Sequence, residues 1–355
     1  MTIKIGLVGL PNVGKSSLFH FLTRKKEGTK IANYPFATID PNHGVVLIPD
    51  FRLEKLGKYW QSEKITHSTV EIVDIAGLVK GASQGLGLGN EFLSHIREVD
   101  MIWHVLRCFP DQEIIHVEKS VNPIRDLEII QLELISADLQ QAERKLGKSK
   151  VKNEKTQKEK EICELIKKNL EQEIPVSQLG LSEEEKQIIK GYNFLTNKPV
   201  LLLANHGGNE TEIAKLKDYA QQKQLTLFPL AIKLEKEMEE EMEKLSNEEK
   251  QELGWQSVDF SVLTGKIKQL LNLKTFFTVG EDETKSWLTK KAMNARECAG
   301  LIHSDIQKGF IWVEVHKYND WLQFPGQKNW KGLTKKADYI IEDGDICHFL
   351  FRKKK

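Results

Sequence analysis

Residues 9–16 read Gly-Leu-Pro-Asn-Val-Gly-Lys-Ser, and the rest of the fold can be worked out from this octapeptide. It fits the pattern G-x-x-x-x-G-K-[ST], follows an apolar run at residues 3–9 and precedes residues 17–22, which can start a helix. The glycines let backbone N–H groups close around phosphate oxygens, and the helix N-terminus adds a positive dipole. A glycine-rich turn that fits the pattern by chance is the alternative, but the flanking strand and helix argue against it. The octapeptide therefore predicts a P-loop in a parallel α/β sheet.

Every residue of this loop is expected to contact a nucleotide. Lys15 should reach the terminal phosphates and take part in catalysis, while Ser16 should ligate Mg²⁺. The nucleotide-binding residues predicted here are Gly9, Leu10, Pro11, Asn12, Val13, Gly14, Lys15, Ser16 and Ser17.

Two downstream segments predict further ligands. Asp74 and Gly77 belong to Asp-Ile-Ala-Gly, which ends the apolar run at residues 70–73 and so brings a carboxylate to the carboxyl edge of the sheet. Thr38 lies in a proline-containing segment, residues 33–42, where its hydroxyl could close over the γ-phosphate and Mg²⁺. An ordinary strand-ending turn and a proline-rich turn are the respective alternatives. The predicted metal ligands are Ser16, Thr38 and Asp74.

Composition excludes several classes of protein. The 355 residues carry 52 Lys+Arg against 51 Asp+Glu, so no global field favours DNA or an anionic membrane. No stretch approaches the ~20 apolar residues of a spanning helix. The four cysteines share no C-x-x-C spacing, which argues against a disulfide framework or a zinc site. We expect a cytoplasmic protein, monomeric, with no membrane or DNA partner.

The periodicity of apolar residues changes along the chain and predicts three modules. A doubly wound P-loop NTPase domain of the α/β class occupies residues 1–126 and 199–274, where short apolar runs alternate with helical stretches. Residues 127–198 interrupt it with a heptad-like seam and a second helical arm, which predict a coiled-coil hairpin. Residues 275–355 are rich in aromatics and short strands and predict a compact α+β domain.

Several motifs together resemble a known family. The P-loop, the segment Tyr-Pro-Phe-Ala-Thr-Ile-Asp-Pro-Asn at residues 34–42, the run at residues 74–83 and Gly-Leu-Gly-Asn at residues 87–90 resemble the Obg-like ATPases. This family, also called YchF, belongs to the translation-factor-related P-loop GTPases. The tail resembles the TGS domain, a small β-grasp module. The resemblance implies a cytoplasmic ATPase that associates with ribosomes.

The end of the strand at residues 200–205 bears on which base is bound. GTPases read guanine with the Asp of N-K-x-D, whereas this chain has Asn205, His206, Gly207 and Gly208, with no carboxylate. Leaving the guanine donors unpaired would cost guanine selectivity. Asn205 could instead pair with the edge of adenine, and the resemblance implies a preference for ATP. The family pattern N-x-x-E is also not met, because Glu210 lies two positions late, so a relaxed choice that includes GTP stays open.

Hydrolysis needs a group that orients the attacking water. Leu78 stands where Ras-like enzymes place Gln, and it has no polar atom. The resemblance points to His116 as the catalytic substitute, since an imidazole can accept and donate at once. A packed, structural histidine is the alternative. By analogy with the family, Asn12 could help to hold K⁺.

A basic segment suggests a partner. Residues 144–160 contain eight Lys and Arg but two Glu, so they could bind the phosphates of ribosomal RNA or form a solvated helix tip. We therefore expect an Mg²⁺-dependent ATPase whose nucleotide state switches its grip on the ribosome. A GTP-specific switch, or an RNA-binding adaptor with incidental hydrolysis, are the alternatives.

Overall fold

The chain divides into two compact units. Residues 3–45 and 71–258 form the P-loop unit, and residues 1–2, 46–70 and 259–355 form the C-terminal unit. The computed structural model describes residues 2–24, 42–75, 89–111, 113–148, 154–208, 210–242, 260–323 and 332–352.

One six-stranded sheet, most of whose residues belong to the P-loop unit, has the strand order β2-β4-β1-β5-β6-β7. Its strands are β1 (Lys4–Val8), β2 (His43–Ile48), β4 (Ser68–Asp74), β5 (Met101–Arg107), β6 (Val200–Asn205) and β7 (Thr226–Leu230). Strand β1 lies in the middle and pairs in parallel with β4 and β5, and β5–β6 and β6–β7 are parallel too. Carboxyl ends of parallel strands lie at one edge of a sheet. The last residues of β1, β4, β5 and β6 therefore lie at the same edge.

The P-loop unit also contains helices, some of which cover this sheet while others belong to the insertion. They are α1 (Lys15–Arg24), α3 (Asn90–Glu98), α4 (Pro123–Lys148), α5 (Glu154–Leu170), α6 (Glu183–Ile189), α7 (Ala214–Gln222) and α8 (Ile232–Met242). Helices α3 and α4 pack on the sheet through Phe92, Ile96 and Ile130. Strand β5 is buried along its whole length, which requires cover on both faces. The doubly wound prediction is therefore confirmed.

The predicted helical hairpin is formed by α4 and α5. Their contact surface is apolar, with Ile135, Ala142 and Ile166 in one buried cluster. Buried Asp138 on α4 also accepts hydrogen bonds from the backbone N–H groups of Leu195 and Thr196, at 2.9 and 2.8 Å. These two bonds fasten the hairpin to the segment that leads into β6.

The C-terminal unit contains a second sheet, with the order β11-β10-β12-β8-β9-β3. Its strands are β3 (Lys64–Thr66), β8 (Leu273–Thr278), β9 (Glu283–Lys290), β10 (Phe310–Lys317), β11 (Leu333–Lys335) and β12 (Asp345–Phe351). Its helices are α2 (Phe51–Trp60), α9 (Phe260–Leu270), α10 (Ala295–Ile302), α11 (Ser304–Gly309) and α12 (Tyr318–Gln323). The β8–β9 hairpin, the crossing helix α10 and the central β12, parallel to β8 and antiparallel to β10, form the predicted β-grasp.

The division into units differs from the predicted boundaries at three places. Residues 46–70 and 259–274 group with the C-terminal unit, although we expected them in the P-loop domain, and the hairpin groups with the P-loop unit. The reason is packing: β3 pairs with β9, and Leu53 and Leu56 of α2 share a buried cluster with Phe277. In the part of the chain that the structure describes, no helix is long and apolar enough to cross a membrane.

Candidate nucleotide-binding site

The P-loop joins the end of β1 to the start of α1, and its backbone is tightly curled. Gly9, Asn12 and Gly14 have φ values of 156°, 62° and 102°. A Cβ on Gly14 would lie 2.5 Å from Asn205 Nδ2, and one on Gly9 would lie 2.5 Å from the carbonyl oxygen of Val105. Only glycine fits both positions, which is what a backbone cradle for phosphate oxygens requires.

The Lys15 amine is folded over this cradle. The residue is 7% exposed, and its Nζ donates to the carbonyl oxygen of Leu10 at 2.6 Å. Burial lowers the pKa of the amine to about 8, against the opposing effect of the Asp74 carboxylate. A buried ammonium that is bonded to a carbonyl would be stabilised strongly by a nearby anion. The position of the Lys15 amine therefore suits the binding of the terminal phosphates of a nucleotide.

We expect nucleotide binding to take up protons above pH 8. Because the pKa of Lys15 is about 8 in the free protein, the amine is largely neutral at about pH 9, and phosphate charge would favour its protonated form. Uptake should approach one proton at about pH 9 and be small at about pH 7. Calorimetry in two buffers of different ionisation enthalpy measures it. A Lys15→Arg variant, which stays charged, should show none; equal uptake by both proteins would contradict the assignment.

Ser16 and Asp74 bring two oxygens together beside the cradle. Ser16 Oγ donates to Asp74 Oδ2 at 3.2 Å, and Asp74 is the last residue of β4, paired with Leu7 of β1. Oxygen atoms are the donors that Mg²⁺ prefers, and Mg²⁺ commonly keeps waters and substrate phosphates as its other ligands. Among the described residues no group of three or more His, Cys, Asp and Glu side chains could hold a metal. The pair therefore fits a cation shared with phosphate. Ser17 lies exposed in the first turn of α1, while Thr38 and Gly77 lie outside the described residues.

Asn205 forms hydrogen bonds with the P-loop and with the start of α8. It is buried at the end of β6, where its Nδ2 donates to the carbonyl oxygen of Val13 at 3.0 Å and its Oδ1 accepts from the Ile232 backbone N–H at 3.4 Å. The nitrogen and the oxygen of the amide therefore both bond to backbone atoms of the protein, and Asn205 joins the P-loop to the start of α8. Each bond uses one of the two amide hydrogens or one of the two oxygen lone pairs, so the interpretation that this amide also reads adenine stays a prediction.

The backbone conformation at residue 208 favours glycine over the carboxylate residue of guanine-binding proteins. Gly208 has a φ of 103°, and a Cβ there would lie 2.5 Å from Leu234 Cδ1. The Gly208 backbone N–H donates to His206 Nδ1 at 3.1 Å, which fixes the turn. An aspartate at this φ would be strained, and the sequence places glycine here instead of the carboxylate that reads guanine. The backbone N–H of Ile232 binds Asn205 and the side chain of Leu234 lies beside Gly208, and neither contact was predicted from the sequence.

A buried arginine organises the loop after β5. Arg107, 1% exposed, donates to the carbonyl oxygens of Phe109, Asp111 and Ile114 at 3.1, 2.9 and 3.0 Å. The Asn12 side chain donates to the carbonyl oxygen of Ile115 at 3.1 Å, so the P-loop contacts this loop directly. This role of Arg107 could not be predicted from the sequence, because its partners are backbone atoms.

His116 lies in this loop with both ring nitrogens occupied. It is 6% exposed; Nε2 lies 2.8 Å from Asp126 Oδ2 on α4, and Nδ1 accepts from the Glu118 backbone N–H at 3.1 Å. Because Nδ1 accepts, Nε2 must carry the proton and donate to Asp126. In this arrangement neither nitrogen is open to water, whereas the adjacent Ile115 is 80% exposed. Leu78 lies outside the described residues.

Known proteins of the YchF family resemble this chain over nearly its whole length. A family model described as "50S ribosome-binding GTPase" matches residues 4–206, and the model of the YchF GTPase C-terminal domain, described as a protein of unknown function, matches residues 273–352. The chain is 43% identical to the ribosome-binding ATPase YchF of Bacillus subtilis, covering 99% of this chain and 100% of the relative. It is 44% identical to that of Mycoplasma genitalium, covering 98% and 99%. The structure of the Schizosaccharomyces pombe YchF GTPase superposes with a TM-score of 0.85 at 36% identity, over 98% of both chains.

Proposed function

The chain belongs to the YchF family, and we propose that it is a cytoplasmic, Mg²⁺-dependent nucleotide switch that hydrolyses ATP to ADP and phosphate and binds the ribosome. The observation that carries the proposal is the P-loop cradle, with glycines that no other residue could replace and the Lys15 amine folded across it. The bacterial relatives are named ribosome-binding ATPases, which supports both the nucleotide and the partner.

We propose ATP as the preferred nucleotide. In the turn at His206 and Gly208, a glycine with a φ of 103° stands in place of the carboxylate, so the guanine N1 and N2 donors would lose their usual acceptor. A GTPase is the second candidate, because the Schizosaccharomyces pombe relative is titled a GTPase. Asn205 holds the P-loop to α8, and the remaining hydrogen and lone pair of its amide are proposed to contact the base.

The phosphates are proposed to lie against the P-loop, where each residue has a distinct task. Backbone N–H groups of residues 9–16 and the N-terminus of α1 would bind phosphate oxygens, and Lys15 would release Leu10 to pair with the terminal phosphates. Ser16 and Asp74, together with Thr38, would hold Mg²⁺, which when bound neutralises phosphate charge. Asn12 is proposed to contribute its remaining oxygen to a K⁺ ion.

We propose that His116 orients the attacking water after a movement of its loop. In the structure the ring is held by Asp126 and Glu118, so it must leave at least one of these bonds before a nitrogen can contact water. The Asn12 contact with Ile115 places this loop against the P-loop, where a bound nucleotide could shift it. Hydrolysis in the free protein should therefore be slow, and a partner that opens the loop should accelerate it.

Side-by-side measurements of ATP and GTP test this function. We expect ATP to bind at least about tenfold more tightly than GTP, because several kcal/mol of guanine selectivity is absent. Turnover should require Mg²⁺ and rise when 70S ribosomes are added. Tighter GTP binding would favour the GTPase candidate. Ribosome binding that persists without any nucleotide dependence would favour an adaptor with incidental hydrolysis. Turnover unchanged by EDTA would overturn the metal assignment.

A further inference from the structure

Arg125 lies in the first turn of α4, beside the carboxylate that holds His116. Its Nε and Nη2 donate to Asp126 Oδ1 at 3.1 and 2.8 Å, so two nitrogens of the guanidinium bind one carboxylate oxygen. The other oxygen, Oδ2, lies 2.8 Å from His116 Nε2. The Asp126 side chain is 1% exposed, whereas that of Arg125 is 29% exposed. The three side chains therefore form a row of hydrogen bonds that runs from the interior of the P-loop unit to its surface.

The two side-chain partners of Asp126 differ in charge. An arginine side chain stays positively charged in proteins. The His116 ring donates from Nε2 while its Nδ1 accepts, which is the hydrogen-bonding pattern of a neutral imidazole. Among the described residues, Arg125 is the only Lys or Arg that pairs with Asp126. The charge of this carboxylate is therefore compensated by Arg125 and by the first turn of α4, where the helix dipole favours an anion.

This difference decides how much free energy is needed for His116 to leave Asp126. Removing one partner of a buried ion pair is strongly unfavourable when the remaining charge has no other partner. Here the carboxylate keeps both hydrogen bonds from Arg125 after the imidazole departs, so only the bond to His116 is lost. Without Arg125, the imidazole would be left as the partner of a buried, uncompensated carboxylate and would be held far more firmly.

Arg125 also holds the far end of the turn that carries His116. Its Nη1 donates to Ser120 Oγ at 2.9 Å, and its Nη2 donates to the Ser120 carbonyl oxygen at 2.6 Å. The turn is closed by a hydrogen bond from the Lys119 backbone N–H to the His116 carbonyl oxygen, at 2.9 Å. Release of the imidazole therefore does not require release of Ser120, and the turn can move about a fixed end.

We propose that Arg125 is a positioning residue, which keeps Asp126 compensated while His116 moves between Asp126 and the attacking water. The inference rests on the proposed catalytic role of His116 and deepens it, because it names the group that makes the movement possible. Arg125 itself does not contact the water or the nucleotide. Its effect passes through Asp126, and this dependence can be tested by combining variants.

Proton exchange at the His116 ring measures the movement without any need for turnover. The Nε2 proton can exchange with water only when its bond to Asp126 breaks, because the residue is 6% exposed. In the full-length protein carrying ¹⁵N-labelled histidine, the signal is assigned by its absence in His116→Ala. Exchange should be at least about tenfold slower in Arg125→Met than in the wild-type protein, since opening would leave a buried charge uncompensated. Arg125→Lys keeps the charge and should restore most of the wild-type rate.

Turnover should follow the exchange rate. Arg125→Met should lower kcat at least about fivefold with little change in KM for ATP, because fewer molecules present the imidazole to water while the nucleotide site is unchanged. Arg125→Lys should recover most of kcat. In an Asp126→Ala background the ring is already free, so Arg125→Met should have no further effect.

Ser120→Ala is the matched control. It removes one hydrogen bond of Arg125 to the turn but leaves the Asp126 carboxylate compensated, so exchange and turnover should match the wild-type protein. Faster exchange and higher turnover in Arg125→Met would mean that Arg125 merely restrains the loop, and would overturn the inference. An added loss of turnover in the Asp126→Ala background would also overturn it, because Arg125 would then act elsewhere.

Failure of the proposed function gives a different result from failure of this inference. If His116→Ala turned over ATP at the wild-type rate, the catalytic role of His116 would fail, while slower exchange in Arg125→Met would still show that Arg125 governs the movement of the ring. If His116→Ala were inactive but exchange in Arg125→Met matched the wild-type rate, the inference alone would fail.

Discussion

Replacing Lys15 by alanine should reduce ATP turnover at least about a hundredfold, because it removes the charge that is folded over the P-loop. Stabilisation of phosphate charge in a water-poor site is worth far more than at the surface, and the Lys15 amine is almost completely buried. A phosphate-release assay with saturating ATP and Mg²⁺ measures the loss. Nucleotide affinity should fall too, since the ammonium is expected to contact the phosphates before the reaction.

The fold should survive this change. The Lys15 amine donates to a carbonyl of the loop, and the buried Asp74 carboxylate that it attracts keeps its hydrogen bond from Ser16. The fold therefore does not depend on Lys15, and the circular dichroism spectrum should be unchanged. Lys215→Ala, an exposed lysine on α7, is the matched control and should keep wild-type turnover. Wild-type turnover in a folded Lys15→Ala protein would refute the phosphate site at the P-loop.

His116→Ala should reduce turnover by about ten- to a thousandfold, the range typical of groups that position or accept a proton. ATP affinity should change little, because the imidazole is proposed to act on water and not on the nucleotide. His116 also donates a buried hydrogen bond to Asp126, so the variant should lose about 1–3 kcal/mol of stability. Turnover must therefore be measured well below the unfolding temperature, with and without ribosomes.

Two further variants distinguish catalysis from loop stability. Asp126→Ala also breaks the buried bond and should be destabilised, but it frees the His116 ring, so turnover should be kept or raised. His116→Gln should recover part of the activity, since an amide can also orient water. If Asp126→Ala and His116→Ala lose activity equally, and His116→Gln recovers none, then His116 is a structural residue that holds the loop to α4.

Local sequence was enough to predict the elements whose form depends on neighbouring residues. The octapeptide at residues 9–16 requires a curled backbone between a strand and a helix, and the structure has that backbone, with Gly9 and Gly14 where no side chain fits. The alternation of apolar runs predicted the parallel sheet, and the heptad-like spacing predicted α4 and α5. These patterns are visible in the sequence because each helix or strand must bury its own apolar side.

Other features depended on which distant parts of the chain meet. Periodicity shows that α2 has an apolar face but not which core receives it, and it packs with Phe277 of the C-terminal unit. Asn205 and Arg107 bond to backbone carbonyls, which every residue possesses, so no sequence pattern could identify their partners.

The contrast is greatest at His116 and at the basic segment. The sequence supplied an imidazole with two usable nitrogens, but only the tertiary structure shows that Asp126 and Glu118 occupy both. The sequence also contains a run of positive charges at residues 144–160. Only the fold shows that Arg97 lines the same cavity as some of them and that Lys158 pairs with Glu184. Residue chemistry and local conformation are fixed by the order of amino acids along the chain, while burial and hydrogen-bond partners arise only when remote segments pack, because both depend on distances in space.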